Sequence, residues 1–261
     1  MEWDTVRFET AEHDERVGFL VLDRPAVLNA VNDQLIADFK QACDALGHAP
    51  GLRVVVLKAE GRGFCSGMDL MAAAHRPQDK ETLEAVWAPW GQALDTLEQL
   101  DQLTIAAIHG PCLGAGLELV LACDFRIATT SAFFALPQIL YGTPPDVGQN
   151  YRLPQLIGLA KAKEIMLLGQ RFSAAEAERW GLVTRLVEPG DLEAETDALV
   201  ERCLQLGGKA AAGAKHLLHR TWELDNQALA AAIHQARAAA LEDGAFAASL
   251  EVYRDRRKPQ V

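Results

Sequence analysis

Apolar and polar positions along the chain change period several times, and each change marks an element. Residues 6–10 and 17–22 cluster or alternate β-forming side chains around the polar stretch AEHDER, which predicts two short strands joined by a turn. Leu35, Ile36, Phe39, Cys43 and Leu46 recur at helical spacing behind Asn32 or Asp33 as N-cap, with an end near Gly47. RVVVLKAE (53–60) is a nearly continuous apolar run followed by glycines, the pattern of a strand buried on both faces. Residues 81–100 keep helical spacing with an interruption at Pro89, and LTIAAIHG then predicts a second buried strand. A helix at Leu117, a strand in DFRIAT and a short strand in AFFAL follow. From Gln149 onward the pattern turns helical, through PQLIGLAKAKEIMLLG, SAAEAERWG and residues 192–206, 210–224 and 227–241. The expected organisation is a strand-turn-helix core over 1–195 and a helical region over 196–261, in a spiral α/β architecture.

The composition narrows the function classes. With 261 residues, 49% of them hydrophobic, the chain can bury a large core. Its net charge of -11 argues against a nucleic-acid partner, whose phosphates call for clustered Lys and Arg. No apolar run reaches the roughly eighteen residues of a membrane span, and MEWDTVRFET reads as neither signal nor transit peptide. Five cysteines with no CxxC pair fit reduced thiols in a cytoplasmic protein better than a disulfide framework or a metal site.

Two stretches carry the chemistry. GRGFCSGMDL (61–70) and HGPCLGAGLELVLACD (109–124) each end a strand with a small-residue turn that can aim a backbone N–H at one shared point. A paired N–H site stabilises an oxyanion. Glu118 follows two residues after Gly116, near the start of an apolar helix, so a carboxylate stands beside whatever that site polarises. The combination points to proton transfer next to a carbonyl. A dinucleotide loop is disfavoured because the third glycine of GxGxxG is Leu119 and no Lys-Ser/Thr follows. Ser66 and Cys65 lack a GxSxG elbow, and His109 at a strand end reads as a packed or hydrogen-bonded histidine.

LDRPAVLNAVN, GRGFCSGMDL, GPCLGAGLELVLACDFRIAT and GQRFSAAEAERWGLVTRLVE, in this order and spacing, resemble the enoyl-CoA hydratase/isomerase (crotonase) superfamily from about residue 5 to the C-terminus. The resemblance implies an α/β fold with a crotonase-like ββα spiral core and a C-terminal helical trimerisation region. It also implies a homotrimer or homohexamer, an acyl-CoA thioester as substrate and no separate cofactor. Carried over by position, the backbone N–H groups of Ser66 and Ala115 match the family's oxyanion donors, with Ala115 where glycine is common. Glu118 occupies the place of one catalytic acid/base, and Gln138 stands where hydratases have a second glutamate. An amide there orients groups but exchanges no proton near neutral pH.

Asp146, eight residues further on, resembles the catalytic aspartate of dienoyl-CoA isomerases, although Asp after Pro-Pro is also a good turn or N-cap residue. Two readings stay open on this pattern: double-bond migration, and hydration of an enoyl-CoA. A non-catalytic acyl-CoA-binding protein is the alternative from another class, because one catalytic carboxylate is an amide. For the coenzyme A moiety the resemblance implies Arg24, Leu28, Ala30, Met68, Asp69, Leu70, Tyr253 and Lys258, with Ala26 in place of a frequent lysine. Trp87 and Trp90 are expected in the core or shaping the acyl pocket.

Overall fold

The parallel strands that carry the two small-residue turns lie side by side in the middle of a six-stranded sheet. The computed structural model describes residues 1–77, 79–145, 147–242 and 244–256. Strands β1 (Val6–Ala11) and β2 (Asp14–Leu22) form the antiparallel hairpin at one edge. Helix α1 (Asp33–Gly47), capped by the Asn32 side chain on the Leu35 amide, leads to β3 (Val54–Ala59). Helices α2 (Leu70–Ala74) and α3 (Lys80–Glu98) follow, and then β4 (Leu103–Ile108), which pairs parallel with β3. The next elements are β5 (Pro111–Leu113), α4 (Ala115–Leu121), β6 (Phe125–Thr129) and β7 (Phe133–Ala135). Helices α5 (Gln149–Ile157) and α6 (Leu159–Leu168) precede β8 (Phe172–Ser173), α7 (Ala174–Arg179) and β9 (Arg185–Val187). Helices α8 (Leu192–Leu204), α9 (Gly208–Arg220), α10 (Asn226–Glu242) and α11 (Ala245–Arg256) complete the chain.

The large sheet has the order β1-β2-β3-β4-β6-β9, and β5-β7-β8 form a second, small sheet. Both faces of the large sheet are covered, which is why β3 and β4 read as continuous apolar runs. One face packs Leu20, Val55, Leu57 and Ile108 against Leu35, Phe39, Leu94 and Leu97 of α1 and α3. On the other, Val54, Val56, Ile105 and Ile127 meet Leu199, Val200 and Cys203 of α8, the helix that spans the expected boundary at residue 195. All five cysteines are buried free thiols, and no described helix is long and apolar enough to cross a membrane.

Several expectations need correction. Helix α3 runs through Pro89, because burial of Trp90, Ala93, Leu94 and Leu97 outweighs the one backbone hydrogen bond that proline removes. The segment PQLIGLAKAKEIMLLG breaks into α5 and α6 at Gly158, whose φ of 79° is open to glycine. The region after Gln149 is not purely helical. Strand β9 pairs with β6, and β8 pairs with β7.

An ion pair ties α9 to the N-terminal ends of β4 and β6. Lys215 Nζ lies 2.9 Å from Asp124 Oδ2 and 2.9 Å from the Gln102 carbonyl oxygen, with the lysine side chain 3% exposed. Burial, the largest influence, pushes the Asp124 carboxyl up, but His219, Lys215 and the Thr104 amide together hold it below the ordinary carboxylate range. Replacing Lys215 by Met should lower the unfolding free energy in urea by about 3–5 kcal/mol at neutral pH, since it strands a buried carboxylate. A carboxyl whose folded-state pKa is depressed stabilises above its unfolded value, about 4, and loses that contribution as pH falls through the folded value. The deficit of the variant should therefore shrink in acid; a deficit below about 1 kcal/mol at neutral pH would contradict the burial argument.

Candidate active site

Parallel neighbours end at the same edge of a sheet, so the turns after β3 and β4 meet there. They are joined by backbone hydrogen bonds: Phe64 N to His109 O (2.9 Å), Cys65 N to Pro111 O (3.0 Å) and Leu113 N to Cys65 O (2.9 Å). On its other side the first turn is laced to residues 28–31, with Val31 N to Gly67 O (2.8 Å) and Asp69 N to Val31 O (2.9 Å). Two glycines make the approach possible. Gly67 has φ +94° and an added Cβ would lie 2.9 Å from Leu113 O, while one on Gly116 would lie 2.7 Å from Cys65 Cβ.

This lacing decides which amides are available. The Ser66 N–H donates to the Leu28 carbonyl oxygen at 2.9 Å, so the expectation that Ser66 supplies an oxyanion donor fails. A donor already satisfied by protein has nothing to offer a ligand. The amide two residues on, Met68 N–H, has no partner among the described residues. In the second turn, Gly114 N is engaged by Ala135 O, and the Ala115 N–H at the first position of α4 has no partner among the described residues. A Cβ on Gly67 would stand 3.7 Å from Ala115 N, which shows how close the two turns lie.

Glu118, the fourth residue of α4, is 3% exposed and its carboxylate is met from three elements. Trp90 Nε1 on α3 donates to Oε2 at 2.9 Å. Gln138 Nε2, from the 3-10 turn Pro137–Tyr141, and Gln149 Nε2, the first residue of α5, donate to Oε1 at 2.8 and 3.0 Å. An ionised carboxylate only accepts, so both amides must turn their nitrogens toward it. Their carbonyl oxygens are consequently directed elsewhere, buried and without a partner among the described residues. At the far end of α4, the buried Arg126 donates to the carbonyl oxygens of Val120 (3.2 Å), Cys123 (2.6 Å) and Leu182 (2.6 Å), fastening the helix that carries Glu118.

The other expected residues fall out as follows. Gln138 is beside Glu118 as an amide donor, and Trp90 is in the core and in the site at once, whereas Trp87 packs only partly buried against the core. Asp146 and Lys258 lie outside the described residues, and of Tyr253 only the backbone in α11 is described. Arg24, expected to contact the coenzyme A moiety, donates to the Ala30 carbonyl oxygen and to Asp69 Oδ2 at 3.3 Å. Leu28 and Asn29 form a left-handed corner with φ of 53° and 54°. Asp69 caps α2 by accepting from Ala72 N, and Leu70 and Met71 are exposed apolar residues next to Met68.

Cys65 is fully buried, and burial pushes its thiol up to about 12, which disfavours a thiolate near neutral pH. His109 Nε2 is hydrogen-bonded to the Gly61 carbonyl oxygen at 3.0 Å. A cavity of about 690 Å³ lined by α9 and α10 includes none of Met68, Ala115, Glu118 or Gln138. Sequence reasoning missed Gln149 and the engagement of Trp90, since neither a glutamine at a helix start nor a core tryptophan stands out in one sequence.

Known proteins resemble this chain in sequence and in fold. A family model described as enoyl-CoA hydratase/isomerase matches residues 12–261. A probable enoyl-CoA hydratase of Mycobacterium bovis is 35% identical over 85% of this chain and 84% of its own. A peroxisomal Delta(3,5)-Delta(2,4)-dienoyl-CoA isomerase of Arabidopsis thaliana is 32% identical over 81% and 80%. The crystal structure of an enoyl-CoA hydratase of Mycobacterium smegmatis superposes with a TM-score of 0.90 at 29% identity, covering 98% of both chains.

If the three donors hold the Glu118 carboxylate in the core, Trp90→Phe should cost about 1–3 kcal/mol of stability, as expected when a buried charged acceptor loses a partner. Chemical denaturation of the variant is the check. A variant as stable as the parent would show that the indole N–H contributes nothing to burying the charge.

Proposed function

The chain belongs to the enoyl-CoA hydratase/isomerase family, and from that premise we propose that it is an acyl-CoA enzyme that moves a carbon–carbon double bond. The thioester oxygen is held by the Met68 and Ala115 amides, and Glu118 is the proton carrier. The observation that favours migration is the hydrogen bond from Gln138 Nε2 to Glu118 Oε1 at 2.8 Å. Where a two-carboxylate hydration site would have a second acid, this chain has an amide with no exchangeable proton near neutral pH. A single carboxylate suffices for migration. Glu118 takes the proton from the carbon next to the thioester of a 3-enoyl group, and the C–H electron pair moves toward the carbonyl. The resulting dienolate places its charge on the thioester oxygen between the two amides. Glu118 then returns the proton further along the chain, leaving a 2-enoyl thioester and a regenerated carboxylate. Each amide donor is worth about a hundredfold to a thousandfold in rate, and the acid/base about a hundredfold to ten-thousandfold.

Hydration is the second reading, and a specific feature favours it. The buried carbonyl oxygens of Gln138 and Gln149 beside Glu118 are acceptors suited to an O–H donor such as water. Asp146 is the candidate second carboxylate on its place in the sequence. For the coenzyme A moiety, Leu28, Ala30, the backbone of Met68, Asp69 and Leu70, and Tyr253 and Lys258 remain the proposed contacts. No resident cofactor enters the reaction. Assembly into a homotrimer or hexamer is supported by exposed apolar residues on the last helices and the turn between α9 and α10, among them Leu218, Trp222, Phe246 and Val252. Five buried free thiols favour a reducing compartment, the cytoplasm.

Purified protein incubated with 3-enoyl, dienoyl and crotonyl thioesters of coenzyme A should turn over the first two faster than it hydrates the third. Glu118→Gln should lower turnover by about a hundredfold or more, and Gln138→Glu should raise hydration of crotonyl-CoA. Hydration dominating in the parent and unaffected by Gln138→Glu would reverse the order of the two readings. Binding without turnover, unchanged by Glu118→Gln, would make the protein a non-catalytic acyl-CoA binder.

A further inference from the structure

The peptide that presents the Met68 N–H follows Gly67, a residue whose backbone is free to turn in most directions. Catalysis by a fixed donor requires that this peptide does not turn: a productive geometry is held within about 0.5 Å and 10–20°. What stops it is visible in the contacts around it. Residues on both sides of Met68 are tied to Val31, through Val31 N to Gly67 O (2.8 Å) and Asp69 N to Val31 O (2.9 Å). Arg24 closes the frame. Its guanidinium donates to the carbonyl oxygen of Ala30, the residue before Val31, and to Asp69 Oδ2 at 3.4 and 3.3 Å. The second carboxylate oxygen of Asp69 accepts from Ala72 N at 3.1 Å, fixing the start of α2. Arg24 is itself held: its N–H donates to Asn29 Oδ1 at 2.7 Å, and its carbonyl oxygen accepts from Asn29 N at 2.9 Å. Asn29 is fully buried and also donates to the carbonyl oxygens of Glu60 and Gly63, where β3 enters the turn.

From this geometry we infer that Arg24 is a positioning residue for the Met68 amide, acting through Asp69 and Ala30, and not a contact to the phosphates of the nucleotide. The inference rests on the reading of Met68 and Ala115 as the donors to the thioester oxygen. The pair is mostly shielded, with side-chain exposures of 19% for Arg24 and 16% for Asp69, so solvent competes little for it. A planar, forked guanidinium can bridge a carbonyl and a carboxylate at once, which a lysine ammonium on a flexible stem does poorly. Such a residue affects the rate through the orientation of an N–H and leaves affinity for the ligand's charged end almost untouched.

The test compares Arg24→Met, Asp69→Asn and the double variant for kcat and KM on the best acyl-CoA substrate. Asparagine caps a helix as well as aspartate does, so Asp69→Asn removes the ion pair and keeps α2. Each single variant should lower kcat by about 10- to 100-fold with KM within about threefold, and the double variant should be no worse than the poorer single one. Bound acetoacetyl-CoA supplies a second readout: the parent should stabilise its enolate, seen in near-ultraviolet absorbance, and both variants should bind the ligand with that signal diminished. A raised KM at unchanged kcat for Arg24→Met, or additive losses in the double variant, would overturn the inference and restore a phosphate contact. If Arg24→Met does not fold, Asp69→Asn alone decides by the same criteria. A parent protein giving neither turnover nor enolate signal would instead overturn the reading of the two amides, and this inference with it.

Discussion

Burying an ionised carboxylate is costly unless hydrogen-bond donors replace the water it gives up, and that requirement at Glu118 organises the site. The donors arrive from α3, from the 3-10 turn at Gln138 and from the first residue of α5, so three separated segments must pack correctly before the charge is tolerable. Trp90, which supplies one of them, is also wedged against Phe39 of α1 with ring centroids 5.5 Å apart. The largest buried side chain of the core and the Glu118 carboxylate are therefore coupled. A change in either is felt by the other. Arg126 adds a matching restraint at the opposite end of α4, where its own charge is spread over backbone carbonyl oxygens.

The backbone contributes the complementary half. An enolate places negative charge on a thioester oxygen, and fixed N–H groups stabilise it without having to reorganise. Two adjacent parallel strands deliver two turns to one edge, Gly67 and Gly116 let those turns touch, and hydrogen bonds to both flanks engage the amides of Phe64, Cys65, Ser66 and Asp69 in the first turn. Among the amides of residues 64–69, Met68 N–H is the one without a partner among the described residues. Availability is the outcome of a competition for partners, and the ordered loop at residues 28–31 decides it.

Much of this was legible in one sequence, for identifiable reasons. Buried parallel strands read as apolar runs, α1 as a capped periodic helix, and the small-residue turns by their glycines, so the α/β core and the placing of Glu118 and Ala115 at the start of one apolar helix were accessible. The choice between Ser66 and Met68 was not. It depends on the Leu28 carbonyl oxygen reaching Ser66 N from a left-handed corner 38 residues upstream, a contact with no local signature. Gln149 was invisible because a helix-initiating glutamine has no pattern of its own, and the pairing of Arg24 with Asp69 has no local signature because the two lie 45 residues apart. Strands β5, β8 and β9 are two or three residues long, too short for any period to show.

The central claim is that one thioester oxygen is received by two particular backbone amides beside a caged carboxylate. A crystal structure of the protein with a bound, slowly reacting acyl-CoA analogue tests it directly. The account predicts the carbonyl oxygen within about 2.7–3.1 Å of both Met68 N and Ala115 N, the acyl chain alongside Glu118, and Ser66 N still bonded to Leu28. A carbonyl oxygen received by Ser66 N after release of Leu28, or one that meets neither turn, would contradict it.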